Sequence, residues 1–151
     1  MRDSVLVFID GTICDLQHRH NLKGTSRFEN EHEIMKDAVV GDGVICMHEI
    51  AQKYDLVYIG ARSKNTVEIT RKWLNVNGFP DGIVVVGSNQ NERMLTVKEL
   101  KNKIHFIAGI GDRWDDNELH LELGCLSIIL EEYNCNWNTV RKYLLNSPWY
   151  M

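Results

Sequence analysis

Carboxylates, glycines and hydroxyls recur in this chain at one kind of place, the end of a short apolar run. Val5-Leu6-Val7-Phe8-Ile9 stops at Asp10-Gly11-Thr12, and Leu56-Val57-Tyr58-Ile59 stops at Gly60-Ala61-Arg62-Ser63. Ile83 to Val86 stops at Gly87-Ser88, and Ile104 to Ile110 stops at Gly111-Asp112, with Asp115 and Asp116 close behind. Runs this short, bounded by turn residues, read as strands buried on both faces. If the strands lie parallel, their carboxyl ends share one edge and bring Asp10, Arg62, Ser88 and Asp112 together. Carboxylates gathered in a buried cleft repel one another and call for a cation. Hard oxygen ligands of this kind favour Mg²⁺, which would also neutralise a bound phosphate.

The segments between the runs carry helical periodicity. Val44, Met47, Ile50 and Ala51 set one stripe, and the spacing predicts a helix over 65–77 with Val67, Thr70 and Leu74 on one face. A helix containing Lys98, Leu100 and Lys101 follows, then one carrying Leu119, Leu121 and Leu123 to Gly124. Leu126 to Leu130 reads as a fifth strand, and Trp137, Val140 and Leu144 mark a closing helix. Strands alternating with helices predict a doubly wound, Rossmann-like α/β fold, a parallel sheet of about five strands with helices on both faces. Segment 15–36 is too polar and short for a domain of its own, so residues 1–151 read as one domain with a flap over 15–36. His18 and His20 lie within that flap and read as loop residues.

Composition narrows the classes. At 44% hydrophobic and 25% charged, the 151 residues suit a globular chain and exclude disordered or fibrous ones. The formal net charge of −4 excludes a broadly basic nucleic-acid surface, though not a local patch. Cys14, Cys46, Cys125 and Cys135 lack the paired short spacing of a zinc site and read as free thiols in a reducing compartment. No run approaches the ~18 apolar residues of a membrane span, and the amino terminus lacks a signal-peptide pattern. The expectation is a cytoplasmic protein with no membrane partner.

Asp10-Gly11-Thr12 after a hydrophobic strand resembles the first motif of the haloacid dehalogenase (HAD) superfamily, Asp-x-Asp-Gly-Thr, and the resemblance runs over nearly the whole chain. In that family the first Asp is a nucleophile that becomes phosphorylated, and the second is the general acid/base. Here the second falls on Asp10 and the nucleophile position on Phe8, whose ring neither attacks phosphorus nor ligates a metal. The strand ending in Gly60-Ala61-Arg62, followed by Thr70, Trp73 and Leu74, resembles the second motif, with Gly60 where a Ser or Thr would bind phosphate. The resemblance thus implies phosphate contacts from Gly11, Gly60, Ala61 and Arg62. Lys98, with Lys101 and Lys103 as rivals, matches the third-motif lysine. Gly111-Asp112-Arg113-Trp114-Asp115-Asp116 resembles the fourth motif, Gly-Asp-x-x-x-Asp.

The expected catalytic set is therefore Asp10, Thr12 and Lys98. The expected Mg²⁺ set is Asp10, through its backbone carbonyl, with Asp112, Asp116 (or Asp115 in its place) and water. A second arrangement, with Asp10 itself attacking, resembles the P-type ATPases. Among HAD branches the chain looks most like small, nearly capless phosphatases typified by the phosphatase domain of phage polynucleotide kinase. That likeness implies Mg²⁺-dependent phosphomonoester chemistry on a phosphorylated small molecule or a nucleic-acid end. Phe8 leaves three readings: a degenerate hydrolase, a pseudo-phosphatase that binds without turnover, and a scaffold that contacts partners through Trp114 or Trp149.

Overall fold

The first apolar run forms strand β1 (Ser4–Phe8), buried along its whole length at the centre of the sheet. The computed structural model describes residues 2–146; Trp149 lies outside them. The other strands are β2 (Cys14–Asp15), β3 (Ala38–Val39), β4 (Asp55–Gly60), β5 (Ile83–Val86), β6 (Phe106–Gly111) and β7 (Leu126–Ile129). The helices are α1 (Glu31–Ile34), α2 (Gly43–Ala51), α3 (Val67–Val76), α4 (Gln90–Lys101), α5 (Trp114–Leu123) and α6 (Trp137–Leu144).

Five strands form one parallel sheet in the order β5-β4-β1-β6-β7. The chain winds outward from β1 to β5, then returns past β1 to β6 and β7. The direction of winding therefore reverses at β1, and the crevice beyond the carboxyl ends of β1 and β6 is where such sheets hold ligands. The alternation of a strand divides the core into two layers. Val5, Val7 and Ile9 pack with Met47, Trp73 and Trp137 from α2, α3 and α6. Leu6 and Phe8 face the other way, against Val57, Ile59, Val97 of α4 and Leu119 of α5. Trp73 is wholly buried and donates its indole N–H to the Asp37 carbonyl at 2.9 Å. Truncating a tryptophan so placed would cost about 3–5 kcal/mol.

Segment 15–36 holds a turn of 3-10 helix over Gln17–Leu22 and the short α1. It is anchored by an antiparallel pair, β2 with β3, that its polar composition does not reveal. His18 and His20 are not free loop residues. His18 Nε2 lies 2.7 Å from Asp37 Oδ1, and His20 Nε2 lies 2.9 Å from the Tyr133 hydroxyl. No helix among the described residues is long and apolar enough to cross a membrane.

Candidate phosphate site at the sheet's switch point

The turn after β1 is wound by one carbonyl. Ile9 O accepts the amides of Thr12, Ile13 and Cys14 at 3.2, 3.1 and 3.0 Å, which turns Asp10 toward the end of β4. Gly11 sits at φ +89°, and a Cβ there would stand 2.5 Å from Asp112 Oδ2. Only glycine accepts both the backbone angle and the carboxylate packed against it.

Asp10 is fully engaged. Its Oδ2 accepts the Ala61 amide at 2.8 Å, its Oδ1 accepts from Arg62 Nε at 2.9 Å, and Arg62 Nη2 lies 2.9 Å from Oδ1 in the same ion pair. Burial by itself would raise its pKa; the Arg62 charge and these bonds outweigh it and hold the carboxyl below its ordinary value. Arg62 is itself buried and donates onward to Thr70 Oγ1 at 3.0 Å and Cys14 Sγ at 3.4 Å. Its Nη2 also lies 3.6 Å from Asp37. Asp37 in turn receives a fork from Arg19 at 2.9 and 2.8 Å, and the Arg19 guanidinium stacks 4.8 Å from the Phe28 ring centroid. Charges of alternating sign thus run from Asp10 into segment 15–36.

The second carboxylate group comes from β6. Thr12 Oγ1 donates to Asp112 Oδ1 at 2.7 Å, leaving Asp112 Oδ2 buried without a hydrogen bond among the described residues. Asp116 Oδ2 accepts the amides of Asp112 and Arg113 at 2.8 and 3.1 Å and so caps α5; its Oδ1 is also buried and unpartnered. Burial pushes Asp112 up to about 7, against the pull of the Thr12 hydrogen bond and with a push from Asp116. Burial likewise raises Asp116 to about 6, against the amides and the Arg113 charge.

Between these groups stands Arg113. Its guanidinium lies 4.9 Å from the centroid of the Phe8 ring. Its Nε and Nη2 are buried with no hydrogen-bond partner among the described residues.

Asp10, Arg62 and Arg113 line a cavity of about 270 Å³ roofed by segment 15–36, which adds Arg19, His20, Lys23 and Glu29, with Glu132 and Tyr133 closing the far wall. The roof is stapled on both sides. Glu29 accepts from the Ser63 amide at 2.9 Å and from its hydroxyl, and His20 meets Tyr133. Two larger hollows, of about 480 and 720 Å³, flank α3 and β5 and contain none of the carboxylates from the strand ends Asp10 and Asp112.

The expected site residues divide. Asp10, Thr12, Asp112 and Asp116 gather at the switch point. Three of the donors expected to bind phosphate are turned inward: the Gly11 amide goes to Cys14 O at 2.9 Å, and the Ala61 amide and Arg62 go to Asp10. Gly60 ends β4, its carbonyl accepting the Gly87 amide at 3.0 Å. Lys98 is elsewhere. It lies in the last turn of α4, exposed, 3.7 Å from Glu122, and its rival Lys101 is 3.6 Å from the same side chain. The helix leaves the strand ends at about 5.4 Å per turn, so its carboxyl half cannot reach the site. Its first turn supplies Arg93 instead, buried and bonded to Gly87 O at 2.8 Å. Burial lowers the Arg93 pKa first, and the Arg113 charge adds to it, which places the two cations near one another. Arg93 and Arg113 were legible only as ordinary charges, one in a helix start and one inside the fourth motif.

The residues present do not offer Mg²⁺ three side-chain ligands. Among the described residues no three Asp, Glu, His or Cys side chains converge on one point. Phe8 supplies no oxygen and both Asp10 side-chain oxygens are occupied, so beside the Asp10 backbone carbonyl the expected set keeps two carboxylates, Asp112 and Asp116, with one unpartnered oxygen each.

No protein-family model and no curated protein matches the sequence. Solved structures do. A chain of the Pnkp1/Rnl/Hen1 RNA repair complex superposes with a TM-score of 0.67 at 16% identity over 87% of this chain, which spans only 43% of that one. A haloacid dehalogenase-like hydrolase from Streptococcus pneumoniae gives 0.63 at 13% identity, over 94% of this chain and 91% of the other. A HAD family enzyme from Bacteroides thetaiotaomicron, in complex with magnesium and inorganic phosphate, gives 0.59 at 11% identity, over 93% and 99%. The sheet order and these superpositions define a HAD-like α/β fold. Within that class the chain spans less than half of the repair-complex protein it resembles.

Proposed function

We propose that this chain is a HAD-fold binding protein for a phosphorylated ligand of nucleotide or polynucleotide-end type, and that it does not turn the ligand over through an aspartyl-phosphate. The observation that carries this reading is Phe8. Aspartyl chemistry needs an oxygen nucleophile at the end of β1, and the side chain there is an aromatic ring, 1% exposed, packed against Val97 and Leu119. Attack by Asp10 is no substitute, because Arg62 and the Ala61 amide hold both of its oxygens.

Binding is another matter. The cavity draws cationic side chains from three parts of the chain, Lys23 and Arg19 from the roof, Arg62 from the β4 turn and Arg113 from the end of β6. Trp114, 80% exposed, directly follows Arg113 and offers a face on which a base could stack. With a formal charge of −4 the chain suits a ligand held at its end rather than a duplex tracked along its backbone. The four cysteines are unpaired, in keeping with the reducing cytoplasm expected for such a ligand. Residues 1–151 act as one unit in this proposal, with segment 15–36 as the roof.

The test is a titration of short oligonucleotides carrying a 5′-phosphate, a 3′-phosphate or hydroxyl ends, with phosphate release assayed in parallel. A phosphorylated end should bind at least about tenfold more tightly than the hydroxyl end, a charge-assisted hydrogen-bond increment, with no phosphate released. Equal affinity for both ends, or steady release of phosphate, would overturn the reading.

A further inference from the structure

We infer that the site holds its anion without a divalent cation, and that Arg113 supplies from within the chain the positive charge a metal would otherwise provide. This rests on the reading of the cavity as a phosphate site, and it commits that reading to one group.

The unmade bonds are the first argument. A half-buried guanidinium with two buried nitrogens unpartnered costs free energy that a folded chain does not ordinarily leave uncompensated. Arg113 carries such nitrogens, Nε and Nη2, at the wall of the cavity. Asp112 and Asp116 are close enough for its charge to lower both their pKa values, yet neither forms a hydrogen bond to those nitrogens. What is missing is an acceptor outside the chain.

The second argument is Phe8. An aromatic face restrains a guanidinium seated over it, and Arg113 lies over the Phe8 ring, 4.9 Å from its centroid, where it lines the cavity. A planar fork matches two oxygens of a phosphate. The ring that removes the nucleophile thus also positions the cation. A third argument is the reduced ligand set, since Phe8 withholds a carboxylate and Asp10 commits its own to Arg62, leaving Asp112 Oδ2 and Asp116 Oδ1 as the unpartnered carboxylate oxygens beside the Asp10 backbone carbonyl.

Calorimetry on the full chain distinguishes the two arrangements, with inorganic phosphate and a phosphorylated dinucleotide as probes, in EDTA and in excess Mg²⁺. The expected result is equal affinity in both media, a loss of about tenfold or more in Arg113→Met, and partial retention in Arg113→Lys, which keeps the charge without the fork. Asp112→Asn gives the sharpest contrast. It should leave binding unchanged or tighten it, because it removes a negative charge beside the anion; a metal ligand replaced in the same way would abolish binding. Thermal melting checks that Arg113→Met folds; should it not, the Asp112→Asn and EDTA arms decide alone. Binding that requires Mg²⁺ and vanishes in Asp112→Asn would overturn this inference and leave the ligand-binding function standing. Binding of neither probe in either medium would overturn both.

Discussion

The Arg113 guanidinium lies 4.9 Å from the centroid of the Phe8 ring, so the position of a nucleophile is filled by a stacked aromatic and cation. From the sequence, Phe8→Asp would be expected to revive phosphatase activity. The stack changes that expectation. A carboxylate at position 8 would face Arg113 and be neutralised by it. Phe8→Asp alone should therefore release no phosphate from an aryl phosphate in Mg²⁺. Phe8→Asp combined with Arg113→Ala should gain Mg²⁺ binding by calorimetry, since three carboxylates would then share the site. Mg²⁺ binding by the single variant would show that Arg113 does not control this position.

Arg62 joins Asp10 to Asp37 in the buried charge chain. Arg62→Met leaves both carboxylates short of a partner and should lower stability by about 3–5 kcal/mol, read from the midpoint of urea unfolding. Arg62→Lys should recover only part of the loss, because an ammonium cannot reproduce the fork shared between Asp10 and Thr70.

Stability should depend on pH through Asp112 and Asp116. Their folded values of about 7 and about 6 lie above the unfolded value of about 3.9. Between these limits the folded chain keeps protons that the unfolded chain has released. Their contribution is complete below about pH 4 and is lost as pH rises through about 6 and 7. Asp10, lowered in the fold, works the other way: its contribution is present above the unfolded value and is lost as acid reaches the folded one. Melting temperatures across the range should fall less from acid to neutral pH in Asp112→Asn than in the parent chain. An identical slope in the two would remove Asp112 as the source.

The edge of the roof at His20 is held by an exposed polar contact and should open separately from the sheet. Tyr133→Phe removes the 2.9 Å contact with His20 and should cost less than about 1 kcal/mol of global stability. It should nonetheless speed amide hydrogen exchange over residues 17–22, where local openings dominate. Unchanged exchange there would mean that the Arg19–Asp37 and Glu29–Ser63 contacts hold the roof without it.

Gly109 in β6 is a packing requirement. A Cβ at this position would overlap the ring of His120, which is buried against it and shares a 2.7 Å hydrogen bond with Ser127. Burial lowers the His120 pKa to about 4, so the ring stays neutral at ordinary pH. Gly109→Ala should destabilise by about 1–3 kcal/mol or more. The paired Gly109→Ala, His120→Ala variant should cost less than the sum of the two single changes.

The parallel α/β sheet and the gathering of Asp10, Thr12, Asp112 and Asp116 at one edge were determined by the sequence alone. Both follow from local causes: apolar runs of strand length, helical stripes between them, and acids or glycines at each run's end. Phe8 at the nucleophile position was equally plain from the residue itself. The assignments of Lys98, Gly60, Ala61 and Arg62 were different, because a residue type says nothing about which partner it meets. Lys98 lies beside Glu122 because a helix carries its last turns away from the strand ends. Arg62 and the Ala61 amide close on Asp10 because burial makes an unpaired charge costlier than any exposed contact could repay. The contact of Arg113 with Phe8 joins residues 105 positions apart, one ending β1 and the other just beyond the end of its neighbour β6, and only tertiary packing decides which side chain covers a ring at a strand's end.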